Sequence, residues 1–232
     1  MSITRNILKI KRNKVVKMSV NLIQINEYNK IMNENRHHFD RLNEIVKYHV
    51  GKNVEGNCFT QHEDVDNCLP ELIYKQMNLF SLGRDAKNVM EIGFNAGHSC
   101  LLFLLSNPNS KITVFDLIWH SYVLPCFDYL QSVFPDRLQI IHGDSVKTVP
   151  IFHHQNPDVK FDLIHIDGSH YGTVANWDFY NSIKMATDII IWDDTQISHL
   201  NELLDGYIKD GLVSEVAVHK TYNYEHRVVR KV

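Results

Sequence analysis

The sequence has few cysteines, and none of them has the spacing of a metal or redox motif. The four form no CxxC pair: Cys58, Cys68, Cys100 and Cys126. The first residues also contain no apolar signal peptide. We therefore exclude a zinc site built on paired cysteines, and we expect a reduced, cytoplasmic protein with free thiols.

Long apolar runs are absent as well. Hydrophobic residues occupy 44% of the 232 positions, which is enough to form a full core. No run approaches the roughly 18 consecutive apolar residues that a membrane-spanning helix requires. The length and composition predict one globular domain with additions and no membrane span.

Charge is unevenly distributed along the chain. Residues 1–20 contain six Lys and Arg and no acid, whereas the remainder contains 18 basic and 27 acidic residues, a net charge of −9. An acidic body argues against a large nucleic-acid surface. We expect residues 1–20 to form a flexible, solvated tail, and contact of this tail with RNA, a membrane or an import receptor is the alternative.

The segment after the tail differs in composition from the rest of the chain. Helical spacing of apolar residues predicts a helix over residues 21–50, and a Gly-, Asn- and Asp-rich composition predicts a loop over 51–68. We expect residues 21–68 to serve as a lid or an interface, and residues 69–232 to form the main domain. A helix is predicted to open at Pro70 and to end before Gly83.

From Lys87 onward, apolar strands alternate with helical segments. The predicted strands are Asn88–Ile92, Lys111–Asp116, Leu138–His142, Phe161–Asp167 and Thr187–Asp193. The predicted helices are Gly97–Ser106, Tyr122–Phe134, Ser145–Phe152, Tyr171–Lys184 and Gln196–Ile208. This alternation predicts a doubly wound α/β fold with a mostly parallel sheet. Two more runs, Val213–His219 and Glu225–Val232, predict an antiparallel C-terminal hairpin.

Glycines and acids follow the first three predicted strands. Gly93 and Gly97 permit a tight turn, but their spacing is neither the dinucleotide G-x-G-x-x-G nor a P-loop. Asp116 ends the second strand, where a carboxylate can bind both ribose hydroxyls. Asp144 and Ser145 follow the third strand and can contact an adenine, although Asp144 alone would equally suit a helix N-cap. Together these residues predict a nucleoside site at one sheet edge.

Three further carboxylates follow the fourth and fifth strands, namely Asp167, Asp193 and Asp194. Carboxylates brought together at one sheet edge repel each other unless a cation or protons intervene, and Mg²⁺ is the simplest such cation. His170 lies three residues after Asp167. A neutral imidazole there can accept a proton from a hydroxyl whose pKa the metal lowers. Helix capping by any one Asp, and a structural or substrate-orienting His170, are the alternatives.

The first group of motifs resembles the S-adenosylmethionine motifs of class I methyltransferases. The resemblance rests on Glu91-Ile-Gly93, Gly97, Asp116 and Gly143-Asp-Ser145 in that order, covers about residues 70–232, and includes the terminal hairpin. It implies a Rossmann-like sheet of seven strands. It also implies contacts to S-adenosylmethionine from Glu91, Gly93, Phe94, Asn95, Gly97, Ser99, Asp116, Asp144, Ser145 and Asp167. Phe94 and Asn95 stand where this family is often richer in glycine.

The second group is similar to the Mg²⁺-dependent sugar O-methyltransferases of macrolide and aminocoumarin biosynthesis. The similarity rests on Asp167-Gly-Ser-His170-Tyr171 together with Asp193-Asp194. Catechol-type O-methyltransferases share the acid positions but commonly have Asn as the last ligand. The resemblance implies Asp167, Asp193 and Asp194 as metal ligands and His170 as general base.

This resemblance implies S-adenosylmethionine and Mg²⁺ as cofactors, a sugar or nucleotide-sugar acceptor, and assembly as a homo-oligomer. A catechol-type acceptor is the nearest alternative. An NAD-dependent oxidoreductase is disfavoured because the dinucleotide glycine pattern is missing. A non-catalytic binding module is disfavoured because the acids and His170 are all present.

Overall fold

The computed structural model describes residues 20–222 and 224–232. The basic tail predicted for residues 1–20 therefore lies outside the described residues, apart from Val20, and so does one residue of the predicted loop between the last two strands. Within the described ranges, no helix combines the length and the apolar character needed to cross a bilayer.

A long amphipathic helix opens the described part of the chain. Helix α1 (Ile25–Val50) starts four residues later than predicted and buries Tyr28, Phe39, Leu42 and Val46 on one face. It ends at Gly51, whose positive φ of 65° allows its N–H to donate to the carbonyl of Lys47.

The predicted loop over residues 51–68 is wrong in part, because it contains a small antiparallel hairpin. The hairpin consists of β1 (Thr60–Gln61) and β2 (Asp64–Cys68). Val65 is the only apolar residue of β2 apart from Cys68, and it is buried completely. A single buried side chain within a polar strand gives no alternating pattern, so the composition resembled that of a loop.

The main domain is a seven-stranded sheet, as predicted. Its strands are β3 (Asn88–Ile92), β4 (Lys111–Asp116), β5 (Leu138–His142), β6 (Phe161–Ile166), β7 (Ala186–Trp192), β8 (Val213–Glu215) and β9 (Arg227–Lys231). Their order in the sheet is β5-β4-β3-β6-β7-β9-β8. Strands β3 to β7 are parallel, whereas β9 is antiparallel to both β7 and β8. The structure therefore confirms the mostly parallel sheet with an antiparallel C-terminal hairpin.

Helices cover both faces of this sheet. After a helical turn at Pro70–Leu72, they are α2 (Ile73–Gly83), α3 (His98–Ser106), α4 (Val123–Val133), α5 (Ser145–Gln155), α6 (Val174–Met185) and α7 (Ser198–Lys209). Two separate apolar cores result, one built around residues such as Leu42 and Phe103 and the other around Phe179 and Trp192. The sheet is thus buried on both faces, which explains its nearly continuous apolar strands.

The strand order reverses between β3 and β6. The chain runs outward from β3 to β4 and β5, and then returns to place β6 on the other side of β3. The helices that follow β3 and β6 diverge at this point and leave a crevice at the carboxyl edge of the sheet. Strands β6 and β7 each end one residue earlier than predicted, so Asp167 and Asp193 begin the loops at this edge.

Candidate active site

An open pocket of about 800 Å³ lies at the carboxyl edge, over the point where the strand order reverses. The predicted site residues that line it are Gly93, Asn95, Asp116, Asp144, Ser145, Asp167, His170 and Asp194. The other predicted site residues, Glu91, Phe94, Gly97, Ser99 and Asp193, lie behind or beside its wall. Eight of the thirteen predicted site residues, from both the nucleoside and the metal group, therefore face a single pocket.

The glycine turn after β3 has no room for larger residues. Gly93 has a φ of +92°, and a Cβ on it would lie 2.1 Å from the carbonyl oxygen of Asp167. Gly97 has a φ of +81°, and a Cβ there would lie 2.6 Å from Phe94 Cζ. Phe94 is buried and packs edge-on against Phe127, so only its backbone belongs to the turn.

Asp116 fixes this turn from the neighbouring strand. Its Oδ2 accepts the backbone N–H groups of Phe94 at 2.7 Å and Asn95 at 3.2 Å. Its Oδ1 accepts the N–H of Ile118 at 2.6 Å. A carboxylate has about four lone-pair positions. Asp116 therefore shapes the turn and keeps some capacity to bind a ligand in the pocket that it lines.

Asn95 joins the turn to the N-terminal extension. Its φ is +51°, and its Nδ2 donates to the carbonyls of Glu55 at 3.2 Å and Gly56 at 2.9 Å. Its Oδ1 accepts the hydroxyl of Tyr122 at 2.7 Å. The residues around Glu55 thus form one wall of the pocket. Sequence reasoning missed Glu55 and Tyr122, because only the tertiary fold brings them to Asn95.

The third strand contributes Asp144 and Ser145. Asp144 is the N-cap of α5, where its Oδ1 accepts the N–H of Val146 at 3.1 Å, and it also lines the pocket. Asp144 thus caps α5 and also faces the pocket, so the N-cap interpretation and the ligand-binding interpretation are compatible. Asp178 on α6 lies close to Ser145 and is completely buried. Burial raises the pKa of Asp178 to about 7, and the hydroxyl of Ser145 offsets this only in part.

Glu91 and Ser99 lie inside the domain and bind each other. The hydroxyl of Ser99 donates to Glu91 Oε1 at 2.6 Å, and the same oxygen lies 3.0 Å from Nδ1 of His165 on β6. Glu91 is fully buried and does not line the main pocket, whereas Ser99 borders a small adjoining cavity. In this structure both residues hold β3, α3 and β6 together.

At the other end of the pocket, His170 lies between two carboxylates. Its Nε2 is 2.7 Å from Asp194 Oδ2 and 4.0 Å from Asp167 Oδ1. The contact with Asp194 raises the pKa of His170 above its ordinary value. Nε2 of His199 donates to the carbonyl of His170 at 2.8 Å, which holds the loop after β6 against α7. His199 is a further residue that the sequence did not single out.

Asp193 points away from the pocket, into the protein. Its Oδ2 lies 2.7 Å from Nζ of Lys75 on α2 and 3.5 Å from His165 Nε2. Burial acts to raise the pKa of Asp193, but Lys75 and His165 outweigh it and hold this pKa below the ordinary range. Sequence reasoning missed Lys75, because nothing in the sequence of α2 marks a lysine that reaches the end of β7.

The residues facing the pocket suit a divalent cation. Ligand atoms of Asp167, His170 and Asp194 all lie within 4.8 Å of one another. Burial, reinforced by the charge of Asp193, raises the pKa of Asp167 to about 7, so negative charge here is incompletely balanced. Mg²⁺ prefers oxygen ligands and is usually held by one or two carboxylates plus water or substrate. Asp167 and Asp194 meet that requirement.

Comparisons with known proteins agree with this fold. Residues 90–195 match a family model described as a methyltransferase domain. No curated protein matches the sequence significantly. The match spans β3 to the end of β7, and so it includes the glycine turn and all three predicted metal carboxylates.

Several solved structures share the fold at low sequence identity. A Klebsiella pneumoniae protein assigned as an O-methyltransferase is 12% identical, with a TM-score of 0.62 over 88% of this chain and 94% of its own. A Bacillus cereus O-methyltransferase bound to S-adenosylhomocysteine is 15% identical, with a TM-score of 0.58 over 83% and 90%. CalS11, a TDP-rhamnose 3′-O-methyltransferase of calicheamicin biosynthesis, is 17% identical, with a TM-score of 0.54 over 85% and 94%. The chain therefore has the class I S-adenosylmethionine-dependent methyltransferase fold, and residues 90–195 match a methyltransferase domain.

Proposed function

We propose that this methyltransferase transfers the methyl group of S-adenosylmethionine to a hydroxyl of a sugar, with Mg²⁺ bound at Asp167 and Asp194. The observation that carries the proposal is a single pocket in which Asp116 and Asp144 lie at one end and the His170–Asp194 contact lies at the other. The cytoplasmic location expected from the sequence is part of the proposal.

The donor half is built to hold a nucleoside. S-adenosylmethionine supplies an electrophilic methyl group on a positively charged sulfur. Asp116 keeps the glycine turn in place through the backbone N–H groups of Phe94 and Asn95, and it faces the pocket where ribose hydroxyls would bind. Gly93 keeps the turn close to Asp167, so the pocket continues from the donor half to the acidic half. This continuity would bring the donor sulfur towards the acceptor.

The acceptor half is built to remove a proton. In the proposed reaction, the imidazole of His170, whose Nε2 lies against Asp194, takes the proton of the acceptor hydroxyl on its other ring nitrogen as the oxygen bonds to the methyl carbon and the carbon–sulfur bond breaks. Asp194, 2.7 Å away, stabilises the imidazolium that results. When bound, Mg²⁺ lowers the pKa of a coordinated hydroxyl. The products are a methyl ether and S-adenosylhomocysteine.

A sugar suits the acidic end of the pocket better than a phenol does. At that end, Ser169 and His170 of the loop after β6 line the pocket together with Asp167 and Asp194. Such groups bind hydroxyls, whereas an aromatic acceptor would favour apolar walls. The similarity to CalS11, which is named for a nucleotide-linked sugar, supports the same acceptor class. Nucleotide sugars with vicinal hydroxyls are therefore the first acceptors to test.

The test begins with calorimetric titration of S-adenosylmethionine into the wild type, Asp194→Asn and the exposed-acid control Asp128→Asn, each with Mg²⁺ or EDTA. We expect all three proteins to bind the donor. Labelled methyl transfer to nucleotide sugars and to catechols then follows. We expect Mg²⁺-dependent transfer to a nucleotide sugar by the wild type and Asp128→Asn, and its loss in Asp194→Asn.

Two results would contradict the proposal. Absence of donor binding by the wild type would remove the methyl donor from this pocket. Transfer to catechols without transfer to any vicinal-diol sugar would overturn the acceptor class and favour the catechol-type alternative.

A further inference from the structure

Lys75 and Asp193 form a buried ion pair at the wall of the pocket, which Lys75 lines and Asp193 does not. Nζ of Lys75 lies 2.7 Å from Asp193 Oδ2, and the two residues are 5% and 1% exposed. Lysine is almost never buried so completely unless its charge is paired. Lys75 is surrounded on α2 by buried residues such as Met77 and Leu79, so the helix cannot withdraw it into solvent without unpacking.

The pair belongs to a longer buried chain of polar groups. Asp193 Oδ2 is also 3.5 Å from His165 Nε2, and Nδ1 of the same ring lies 3.0 Å from Glu91 Oε1. Lys75 is the nearer of the two nitrogens and balances the charge of Asp193 inside the protein.

Asp167 and Asp194 are in a different situation. Within the described ranges, neither of them has a Lys or Arg nitrogen within 4.0 Å, and His170 is the group in direct contact with them. The ring of His165 also comes within 4.8 Å of Asp167, and the charge of Lys75 acts on Asp167 from farther away. Both line the pocket, whereas Asp193 does not. The cluster of three acids thus divides into one acid that is already balanced and two that face the pocket.

We infer that Lys75 takes the place of a divalent cation at Asp193, so that the Lys75–Asp193 pair is a permanent part of the fold and the metal is held by Asp167 and Asp194 alone. A metal ion bound to Asp193 would also lie close to the Lys75 ammonium, which is 2.7 Å from Asp193 Oδ2. Two positive charges so close together repel strongly in a buried site. Lys75 is in this sense a positioning residue, because it fixes which two carboxylates remain available. The inference rests on the metal dependence in the proposed function.

The experiment uses Mn²⁺ alone as the probe, with free Mn²⁺ measured by electron paramagnetic resonance. The proteins are the wild type, Asp167→Asn, Asp193→Asn, Asp194→Asn and the double variant Lys75→Met/Asp193→Asn. Asp128→Asn serves as the exposed-acid control. We expect the variants of Asp167 and Asp194 to bind Mn²⁺ about tenfold or more weakly, and the other proteins to stay within about threefold of the wild type.

Thermal unfolding in EDTA gives a second readout that does not depend on metal. Asp193→Asn leaves the Lys75 charge buried without a partner and is expected to lower the unfolding midpoint by roughly 6 °C or more. The double variant removes both charges and is expected to recover most of that loss. If Asp193→Asn does not fold, the double variant still tests metal binding, because it also lacks the Asp193 carboxylate.

Loss of Mn²⁺ affinity in the double variant equal to that in Asp194→Asn would overturn the inference, because Asp193 would then be a ligand. An unchanged unfolding midpoint in Asp193→Asn would contradict the assignment of the Lys75–Asp193 pair as a permanent part of the fold. A wild type that binds S-adenosylmethionine but no Mn²⁺ would contradict both this assignment and the proposed metal dependence. Normal Mn²⁺ binding with no sugar methylation would contradict the proposed acceptor alone.

Discussion

The carbonyl oxygen of Asp167 lies where a Cβ on Gly93 would have to go, 2.1 Å from that position. Gly93 begins the turn after β3, and Asp167 begins the loop after β6. These strands are neighbours in the sheet, although 74 residues separate Gly93 from Asp167 in the chain. The contact places the turn that we propose holds the donor against the first carboxylate of the acidic end.

Gly93→Ala should therefore damage both stability and donor binding. The φ of +92° is unfavourable for alanine, and the methyl group would overlap a backbone carbonyl that cannot rotate away. We expect a loss of about 3 kcal/mol or more in the free energy of unfolding. Urea unfolding and calorimetric titration of S-adenosylmethionine measure the two effects.

Gly211→Ala is the matched control for this change. Gly211 also has a positive φ, +71°, but a Cβ there would meet nothing within 4 Å. Gly211→Ala should lower the free energy of unfolding by only about 1 kcal/mol and leave donor binding unchanged. Equal losses of unfolding free energy in the two variants would mean that the close approach of Asp167 to Gly93 adds nothing to the cost of Gly93→Ala.

Asp116→Asn should weaken donor binding. The amide NH₂ of asparagine can replace at most one acceptor oxygen, so it would face backbone N–H groups that now bind a carboxylate. The expected loss of about 1.5–3 kcal/mol corresponds to a ten- to hundredfold higher Kd for S-adenosylmethionine. Calorimetry measures it, with Asp128→Asn as control. A Kd unchanged by Asp116→Asn would place the donor elsewhere in the pocket.

His170→Gln should slow methyl transfer and leave donor binding almost intact. The imidazole that contacts Asp194 would be replaced by an amide, which cannot take the proton of the acceptor hydroxyl at neutral pH. Loss of a general base costs typically 10²–10⁴-fold in rate, so kcat should fall by about that factor. His154→Gln, on the exposed side of α5, should behave like the wild type. A normal kcat in His170→Gln would leave His170 with an orienting role only.

The sequence predicted most of the sheet and of the pocket because both depend on local patterns. Runs such as Asn88–Ile92 are apolar enough to identify a buried strand, and parallel strands bring the residues at their carboxyl ends to one edge. That rule alone predicted that Asp116, Asp144 and Asp167 would meet, and the structure places all three around one pocket.

The parts that could not be predicted depend on contacts between distant segments. Lys75 is 118 residues before Asp193, and its role follows only from the packing of α2 beneath the end of β7. Likewise, Asn95 holds Glu55 through a side-chain amide that no periodicity reveals. The hairpin that includes Val65 was missed for a related reason, because one buried residue cannot establish a strand pattern.

Asp178 should make the protein less stable as the pH rises from acidic to neutral. Burial raises its pKa in the folded state to about 7, whereas an aspartate in the unfolded chain has a pKa of about 3.9. Between these values the folded state binds more protons than the unfolded state, so the free energy of unfolding falls with increasing pH. The fall in the free energy of unfolding begins near the unfolded pKa, is complete above the folded one, and amounts to about 2.6 kcal/mol between pH 5 and pH 8.

Asp178→Asn isolates this contribution from other groups that titrate in the same range. The amide has no charge to bury, so the free energy of unfolding of the variant should fall by about 2.6 kcal/mol less than that of the wild type between pH 5 and pH 8. Urea unfolding of both proteins at the two pH values measures the difference, and Asp128→Asn should follow the wild type. Parallel pH profiles for Asp178→Asn and the wild type would mean that Asp178 is ionised throughout. The protein would then have to stabilise the buried Asp178 carboxylate by interactions beyond the one with Ser145.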